Sequence, residues 1–289
     1  MATTAYGPNS REGRMSLPPL LRWAGGKRVL LPQLVKFIPD NFGTYFEPFL
    51  GGAAVFFYLG PRRAVLSDTN EELINCYLQV RINTENVIAA LESMRNSEED
   101  YYRIRAARPT SDTDRAARLL YLMAYSFNGI YRTNLQGTFN VPYGRRAGRY
   151  YTADSLRAAA TALHQATLTT ADFEEVLTEA HAGDLIYLDP PYTVAHGNNG
   201  FVKYNARLFS WSDQIRLAHT AANLARRGCT VIVSNAAHPS VQELYSGFDM
   251  FVVERQSRIA AASYARKRVP EYVFVAGNQS NKGVRFPAE

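Results

Sequence analysis

The feature that most constrains this chain is an alternation of short apolar runs with helical segments. Buried parallel strands read as continuous apolar runs, and parallel neighbours need a crossover connection, usually a helix. The alternation therefore indicates an α/β fold with a mostly parallel sheet and right-handed crossovers. The predicted strands are Thr44–Phe46, Ala64–Ser67, Leu185–Leu188, Thr230–Ser234 and Glu271–Val275. The predicted helices are Arg28–Phe37, Ala53–Leu59, Asn70–Arg81, Phe173–Ala180 and Ser212–Arg227.

The alternation is interrupted in the middle of the chain. Helical stretches rich in Arg and Tyr, Tyr101–Ala107 and Arg115–Tyr125, precede Gly- and Pro-containing loops at Asn128–Gly148. An insertion of about 85–90 residues is far longer than an ordinary connection, so it predicts a separate lobe. We expect a catalytic domain at 17–81 and 170–276, a lobe at 82–169, and flexible tails at 1–16 and 277–289.

Composition argues against several classes of protein. The sequence contains no run of about 18 apolar residues, so no transmembrane helix is expected. Residues 1–16 lack the apolar centre of a signal peptide. Two cysteines and five scattered histidines have the spacing of neither a disulfide scaffold nor a zinc site, so we expect no metal and a cytoplasmic location. The formal net charge of +6 is compatible with a nucleic acid partner but is weak evidence alone.

The turn Asp189-Pro190-Pro191-Tyr192 follows the predicted strand Leu185–Leu188. Open α/β sheets place their ligands at the carboxyl ends of the strands. Two successive prolines stiffen the turn, so the Asp189 carboxylate and the Pro190 carbonyl are directed at one point. Two acceptors at that point would hold both hydrogens of an exocyclic amine, and Tyr192 offers a face on which an extruded base stacks. The competing interpretation is a proline-rich turn that only ends a strand.

A second motif, Trp23-Ala24-Gly25-Gly26-Lys27, precedes a predicted helix. Paired glycines allow backbone N–H groups to approach an anion, and Lys27 adds a positive charge. A carboxylate such as the methionine end of a cofactor would suit this site. Taken alone, the motif is more typical of a loop that enters a helix beside a packed tryptophan than of an anion site.

A third motif, Phe46-Glu47-Pro48-Phe49-Leu50-Gly51-Gly52, follows the first predicted strand. Its glycines allow a ligand to approach the strand-to-helix turn closely. The next strand ends at Asp68, about 20 residues further on, which is the position of an acidic residue that binds ribose hydroxyls. Asp68 or Asn70 could instead cap the following helix.

In this order the motifs resemble the DNA adenine methylases of the Dam type, the D12 class, over about Leu20 to Ala276. Phe127–Arg132 and Gly137–Gly144 are similar to the base-reading hairpin of that family. The resemblance implies a Rossmann-like S-adenosylmethionine-dependent methyltransferase sheet with an inserted, mainly helical target-recognition domain. It also implies methyl transfer to N6 of a flipped adenine in double-stranded DNA, within GATC or a related short palindrome.

The resemblance carries roles to individual residues of the catalytic domain. It implies that Asp189, Pro190 and Tyr192 are catalytic, and that Asp172 and Phe173 border the adenine of the cofactor. S-adenosylmethionine is the implied cofactor and S-adenosylhomocysteine the product. The predicted cofactor-binding residues are Trp23, Ala24, Gly25, Lys27, Glu47, Phe49, Gly51, Asp68, Asp172, Phe173 and Asp189.

The resemblance also implies DNA-binding roles, most of them in the lobe. Arg132 matches a residue that reads a guanine edge, and Ile130 and Pro142 match neighbours of a thymine methyl group. Arg22 replaces the lysine of the type members, which puts its readout in doubt, and Tyr204 is expected to close over the extruded base. The predicted DNA-binding residues are Arg22, Phe127, Asn128, Ile130, Arg132, Pro142, Arg145, Arg146 and Tyr204.

Two other functions are compatible with parts of this pattern. A catalytically silent DNA-binding module would have no reason to keep Lys27, Asp68 and the Asp189–Tyr192 turn together. N4-cytosine methylation more often accompanies Ser at the first position of that turn.

The late basic segment 260–268 lacks the glycines typical of the family, so it is either a phosphate contact or a solvated loop. We expect duplex DNA as the partner, no obligate protein partner, and a monomer.

Overall fold

The computed structural model describes residues 17–23, 25–134, 136–148, 151–194, 209–256 and 268–277. The predictions for Ala24 and Tyr204 lie outside these residues. So do the tails 1–16 and 278–289 and the late segment up to residue 267. Among the described helices, none combines the length and the apolar character needed to cross a bilayer.

A seven-stranded sheet forms the centre of the molecule, and its strand order is β3-β2-β1-β4-β5-β7-β6. The first five strands along the chain run parallel to one another. This confirms the predicted α/β class with a Rossmann-like sheet. The strands are β1 Tyr45–Glu47, β2 Ala64–Asp68, β3 Ala166–Thr170, β4 Leu185–Leu188, β5 Thr230–Ala236, β6 Asp249–Gln256 and β7 Arg268–Ala276.

The last predicted strand, Glu271–Val275, belongs to β7, which runs antiparallel to both β5 and β6. The sheet is mostly parallel, as predicted, and within the described residues β7 is its antiparallel strand. Antiparallel neighbours such as β6 and β7 can be joined without a crossover helix. Two strands were not predicted. β3 is a half-polar edge strand, and β6 is an edge strand in which exposed Val252 alternates with buried Val253.

Helices cover both faces of the sheet. The predicted helix Arg28–Phe37 is instead a 3₁₀ turn, a four-residue helix and a second 3₁₀ turn, with Pro32 near the helix start. Described helices of the sheet layers are α1 Leu31–Leu34, α2 Ala54–Leu59, α3 Glu71–Ile82, α8 Phe173–Leu177, α9 Trp211–Arg226 and α10 Pro239–Leu244. Those of the insertion are α4 Thr84–Glu92, α5 Glu98–Ala106, α6 Asp112–Tyr125 and α7 Ala153–Leu163.

Most of the longer helices begin at a side chain that accepts a hydrogen bond from a backbone N–H of the first turn. Ser210, for example, accepts from the N–H of Asp213, whose carboxylate accepts from the N–H of Ser210 in return. Such caps satisfy donors that a helix start leaves unpaired. The capping residues are Asn70, Ser97, Ser111, Thr152, Asp172 and Ser210.

Two hydrophobic clusters lie on opposite faces of the sheet. Along β4, Leu185 and Tyr187 belong to the first cluster, and Ile186 and Leu188 belong to the second. This alternation follows from the two-residue period of a strand. The first cluster includes α3 and the helices of the insertion, and the second includes α8, α9 and α10. Both faces of the sheet are therefore buried.

The inserted helices pack on α3 and against one another, and their apolar side chains join the first cluster. Arg115 of α6 forms ion pairs with Glu71 and Glu72 of α3 at 3.1 and 2.6 Å. The predicted lobe ended at residue 169, but residues 166–169 form most of strand β3. The sheet thus resumes before the predicted boundary. The division into two domains stays a prediction.

Candidate active site

The turn Asp189–Tyr192 lies directly after β4, between the carboxyl ends of β1 and β5. Pro190 is buried, and Asp189 is 19% exposed. The Pro191 carbonyl accepts a hydrogen bond from Gln214 Nε2 of α9 at 3.2 Å, and Gln214 in turn accepts from Asn235 Nδ2 of β5 at 3.0 Å. These contacts brace the turn against a helix and a neighbouring strand.

Lys27 reaches this turn from the start of its 3₁₀ segment. Its side chain is only 4% exposed, and Nζ lies 2.7 Å from Asp189 Oδ1. The same ammonium donates to the Gly25 carbonyl at 2.9 Å. Charge-assisted contacts of this length stabilise both charges in a buried setting. The sequence placed Lys27 at a cofactor carboxylate, whereas the structure places it on the predicted catalytic carboxylate.

Tyr192 is held at both its ring and its hydroxyl. The hydroxyl donates to Glu271 Oε2 of β7 at 2.8 Å, and Lys27 Nζ lies 5.1 Å from the ring centroid. Burial, reinforced by the negative charges of Glu271 and Asp189, raises the pKa of Tyr192 well above its ordinary value. The phenol therefore stays protonated and acts as a donor.

Glu47, predicted to line the cofactor pocket, turns its carboxylate into the interior. Its Oε2 accepts from the hydroxyl of Tyr45 at 2.8 Å and from the N–H of Phe56 at 3.1 Å. Burial raises the pKa of Glu47 to about 8, although these two hydrogen bonds oppose the rise and the charge of Asp189 adds to it. The described contacts of Glu47 therefore connect β1 to α2.

Asp68, the last residue of β2, is hydrogen-bonded to Gly51 in the turn that follows β1. Asp68 Oδ2 accepts from the N–H of Gly51 at 3.1 Å, and the Gly51 carbonyl accepts from Tyr77 at 2.9 Å. Gly51 has φ +46°, and a Cβ at this residue would lie 2.9 Å from Trp23 Cδ1. Only glycine therefore fits beside Trp23. Burial raises the pKa of Asp68 above its usual range.

Asp172 and Phe173 lie directly after β3, at the same carboxyl edge of the sheet as the turn after β1. Phe173 packs against Phe49 with ring centroids 5.5 Å apart, so two predicted cofactor residues do come together. Arg216 of α9 holds both oxygens of Asp172 at 2.8 and 3.0 Å, and its guanidinium carbon lies 4.4 Å from the Phe173 ring centroid. Sequence reasoning missed Arg216, because nothing marks one arginine of an amphipathic helix.

The residues predicted to read bases lie on a hairpin-like segment, residues 126–144, that follows α6. Antiparallel bridges join Ser126 to Tyr143 and Thr133 to Phe139. The predicted base-reading side chains of this segment are mostly exposed. Phe127 is 53% exposed, and the exposed Arg132 donates through Nε to Asn140 at 2.8 Å. Asn128 adopts φ +56°, Pro142 is exposed, and Ile130 is half-buried.

The hairpin is anchored to its surroundings at two places. The Val141 carbonyl accepts from Tyr101 and Arg105 of α5 at 3.0 and 3.1 Å. At the other side, Trp23 stacks on Tyr131 with ring centroids 5.0 Å apart. The hairpin thus contacts both the inserted helices and the motif that leads to Lys27.

Three further predicted DNA contacts lie beside the hairpin. A Cβ on Gly129 would be 2.9 Å from Arg22 Cβ, so Arg22 packs against the hairpin start. Arg145 is exposed and lies 3.3 Å from Glu98. The backbone carbonyl of Arg146 accepts from Asn96 at 2.7 Å.

The structure therefore brings Lys27, Asp189 and Tyr192 into one cluster and adds Glu271, which the sequence analysis did not single out. Glu271 is 2% exposed and lies 3.8 Å from Lys27 Nζ. A charged residue inside an otherwise apolar strand was the signal that could have identified it. Within the described residues, no group of His, Cys, Asp or Glu side chains is arranged to hold a metal ion.

A mostly parallel sheet covered on both faces, with an acidic turn after its central strand, is a Rossmann-like fold that places this turn at its ligand edge. The chain matches the family model of the D12 class N6 adenine-specific DNA methyltransferase over residues 23–259. It belongs to this family, as the sequence resemblance predicted, and it is a DNA adenine methyltransferase.

Relatives from bacteria and archaea match nearly the whole chain. The type II methyltransferase M1.LlaDCHI of Lactococcus lactis subsp. cremoris is 35% identical over 274 residues, which cover 91% of this chain and 96% of the relative. The type II methyltransferase M.MjaIII of Methanocaldococcus jannaschii is 33% identical over 278 residues, 88% and 96%. The DNA adenine methylase of Escherichia coli K12 is 31% identical over 257 residues, 87% and 92%.

Proposed function

We propose that this enzyme transfers a methyl group from S-adenosylmethionine to N6 of an adenine extruded from duplex DNA, with Asp189, Pro190 and Tyr192 contacting the base. The observation that carries the proposal is the cluster at the end of β4, in which the buried Lys27 contacts the half-buried Asp189 and Tyr192. Asp189, Pro190 and Tyr192 offer a carboxylate, a carbonyl and an aromatic face within one short turn. These are the groups that an exocyclic amine on a flat base requires.

The edge formed by the ends of β1, β2 and β3 fits the cofactor. Glycine is required at position 51, which leaves the turn after β1 without a side chain, and the half-buried Asp68 lies beside it for the ribose hydroxyls. The Phe49–Phe173 pair suits the flat adenine, and Asp172 borders it. When bound, S-adenosylmethionine supplies the electrophilic methyl group.

We expect the turn after β4 to orient the target base and Lys27 to stabilise the charge of Asp189. Asp189 accepts one N6 hydrogen and the Pro190 carbonyl the other, which directs the nitrogen lone pair away from both acceptors. Lys27 at 2.7 Å stabilises the negative charge of Asp189, so the carboxylate remains an acceptor. The ring of Tyr192 supports the base by stacking. Fixing both reactants in this way supplies on the order of 7–11 kcal/mol in well-aligned systems.

The exposed hairpin and its neighbours suit duplex DNA. We propose that Arg132 reads a guanine edge, that Ile130 and Pro142 contact a thymine methyl group, and that Phe127 and Asn128 act where the base leaves the stack. Arg22, Arg145 and Arg146 contact the backbone or a flanking base, and Tyr204 closes over the extruded adenine. The proposed target is GATC or a related short palindrome, and the enzyme acts as a cytoplasmic monomer on nucleoid DNA.

The test is expression of the chain in cells without adenine methylation, followed by long-read sequencing of their DNA and mass spectrometry of its nucleosides. We expect N6-methyladenine in one short palindrome. N4-methylcytosine would instead establish the alternative amine chemistry. Unmodified DNA, together with no calorimetric binding of S-adenosylmethionine by the folded protein, would identify a silent DNA-binding module.

A further inference from the structure

Glu271 is a buried carboxylate whose position in the sheet places it at the catalytic edge. It lies near the start of β7, opposite Ala236 of β5 and Val253 of β6. Since β7 runs antiparallel to β5, its first residues lie where the parallel strands end. The residue is 2% exposed, and burying a carboxylate is costly unless it is paired and hydrogen-bonded.

Its two described polar contacts both belong to the proposed catalytic cluster. Oε2 accepts the phenol hydrogen of Tyr192 at 2.8 Å and lies 3.8 Å from Lys27 Nζ. The first contact is within hydrogen-bond distance, and the second offsets the burial of the charge. Glu271 is thus connected to Asp189 through Lys27 and directly to the far end of the Tyr192 ring.

We propose that Glu271 is a positioning residue for the target base, which acts by anchoring the hydroxyl of Tyr192. The inference rests on the proposed role of Tyr192 as the stacking residue. A tyrosine ring turns about two side-chain bonds, so a hydrogen bond at its far end fixes the plane of the ring. The adenine then meets a surface that is oriented before it arrives, which reduces the cost of aligning its amine with Asp189.

The proposal also explains why the aromatic residue of the Asp189–Tyr192 turn is a tyrosine, which carries a hydroxyl. Stacking alone requires only the ring, which phenylalanine would supply equally. The hydroxyl of Tyr192 instead donates a hydrogen bond to the buried carboxylate of Glu271 in β7. Burial raises the pKa of this phenol, so the hydroxyl stays protonated and able to donate.

The experiment compares Glu271→Leu, Glu271→Gln and Tyr192→Phe by steady-state methylation with labelled cofactor. Loss of the anchor should lower kcat about 10-fold in Glu271→Leu and Tyr192→Phe, equivalent to about 1.4 kcal/mol, and change KM for DNA and cofactor less than about 3-fold. Gln keeps an acceptor for the phenol, so Glu271→Gln should recover most of the activity. The double variant Glu271→Leu/Tyr192→Phe should be no slower than the slower single variant, since both substitutions break the same hydrogen bond between Tyr192 and Glu271.

A matched control is Tyr187→Phe, which removes a buried hydroxyl on β4 that bonds to Ser234 at 2.9 Å rather than to Glu271. Its kcat should remain within about 2-fold of the parent. A spectroscopic readout comes from duplexes with 2-aminopurine at the methylated position, whose fluorescence should rise on binding more in Tyr192→Phe than in the parent. A loosely held ring quenches the extruded base less.

Multiplicative losses in the double variant, an unchanged kcat in Tyr192→Phe, or a Gln variant as slow as the Leu variant would each overturn the inference. Tyr192→Phe leaves every charge in place, so it decides the matter even if Glu271→Leu does not fold. A parent enzyme that does not methylate adenine would overturn the proposed function itself. An active parent with unaffected variants would overturn only the role of Glu271.

Discussion

The catalytic turn, residues 189–192, and the recognition hairpin, residues 126–144, lie in one molecule but are built on opposite principles. Around the turn, Lys27 and Glu271 are nearly inaccessible to solvent and are paired within the protein. In the hairpin, Phe127 and Arg132 are exposed. The first region is held by contacts within the protein, and the second exposes side chains that we propose contact DNA. Substitutions should therefore affect rate in the turn and sequence discrimination in the hairpin.

The largest effect is expected at the turn itself. Asp189→Ala removes the proposed acceptor for the amine and leaves the buried Lys27 without its contact at 2.7 Å. Methyl transfer should fall about 10³-fold, as when a preorganised polar group is removed from an active site, while DNA affinity changes little. Single-turnover assays with labelled cofactor and fluorescence anisotropy of bound duplex measure the two quantities. An Asp189→Ala variant with near-parental activity would remove Asp189 from the chemistry.

The next effect concerns the edge where the cofactor is proposed to bind. Gly51→Ala forces a left-handed residue to carry a Cβ that would approach Trp23 Cδ1 to 2.9 Å. We expect cofactor affinity to fall about 10- to 100-fold by calorimetry, since about 1–3 kcal/mol of backbone strain must be absorbed. Gly247→Ala is the matched control, because a Cβ there meets no atom within 4 Å. Equal affinities in both variants would place the cofactor elsewhere.

The hairpin should respond in the opposite manner. Arg132→Ala should leave the maximal rate nearly unchanged but reduce discrimination at one base pair about 10-fold or more, since a bidentate contact to guanine contributes about 1–3 kcal/mol. Rates on duplexes that differ at single positions measure this effect. Arg145→Ala should instead weaken binding to all duplexes alike and lower the salt dependence by about one ion. Preserved discrimination in Arg132→Ala would assign base reading to another residue.

The last prediction concerns the free energy of unfolding and its dependence on the buried Glu47. The folded pKa of Glu47 is about 8, above its ordinary value, so the folded state binds the proton more tightly than the unfolded chain does. Its stabilising contribution is therefore complete below the ordinary pKa and is lost as pH rises through the folded value. Glu47→Gln should remove this loss, so that its unfolding free energy rises relative to that of the parent by about 2–3 kcal/mol between pH 6 and 9.

Urea denaturation of both proteins at several pH values measures that difference. Parallel stability curves for the parent and Glu47→Gln would show that Glu47 ionises normally in the folded state. Glu92→Gln, on the exposed surface of α4, is a suitable control and should leave the pH dependence unchanged.

The strands at the centre of the sheet could be predicted from the sequence because burial on both faces leaves an apolar run. Leu185–Leu188 is such a run, and the turn that follows it was found for the same reason. Edge strands carry no comparable signal. Ala166–Thr170 is half-polar, and among the side chains of residues 249–254 only Phe251 and Val253 are turned toward the core, so both strands were missed. The direction of β7 depends on which strand it pairs with, which no local pattern encodes.

The same distinction applies to the site. Motif residues such as Lys27 and Asp189 could be found because they occur at fixed spacing within short segments. Their mutual contact, 162 positions apart along the chain, could not be predicted from either segment alone. Arg216 lies on helix α9 and Glu271 on strand β7, far along the chain from the residues that they contact. Such partners are set by tertiary packing, so only the folded structure identifies them.

The insertion of β7 between β5 and β6 has a consequence for biosynthesis. Within the described residues β6 pairs with the sheet only through β7, which leaves the ribosome after it. Proteins fold from the amino terminus as they are made. A nascent chain can therefore complete its five parallel strands, and the turn after β4, before Glu271 exists to receive the phenol of Tyr192. Strand β6 then pairs only after β7 has been made, and the hydroxyl of Tyr192 gains its Glu271 acceptor at the same stage.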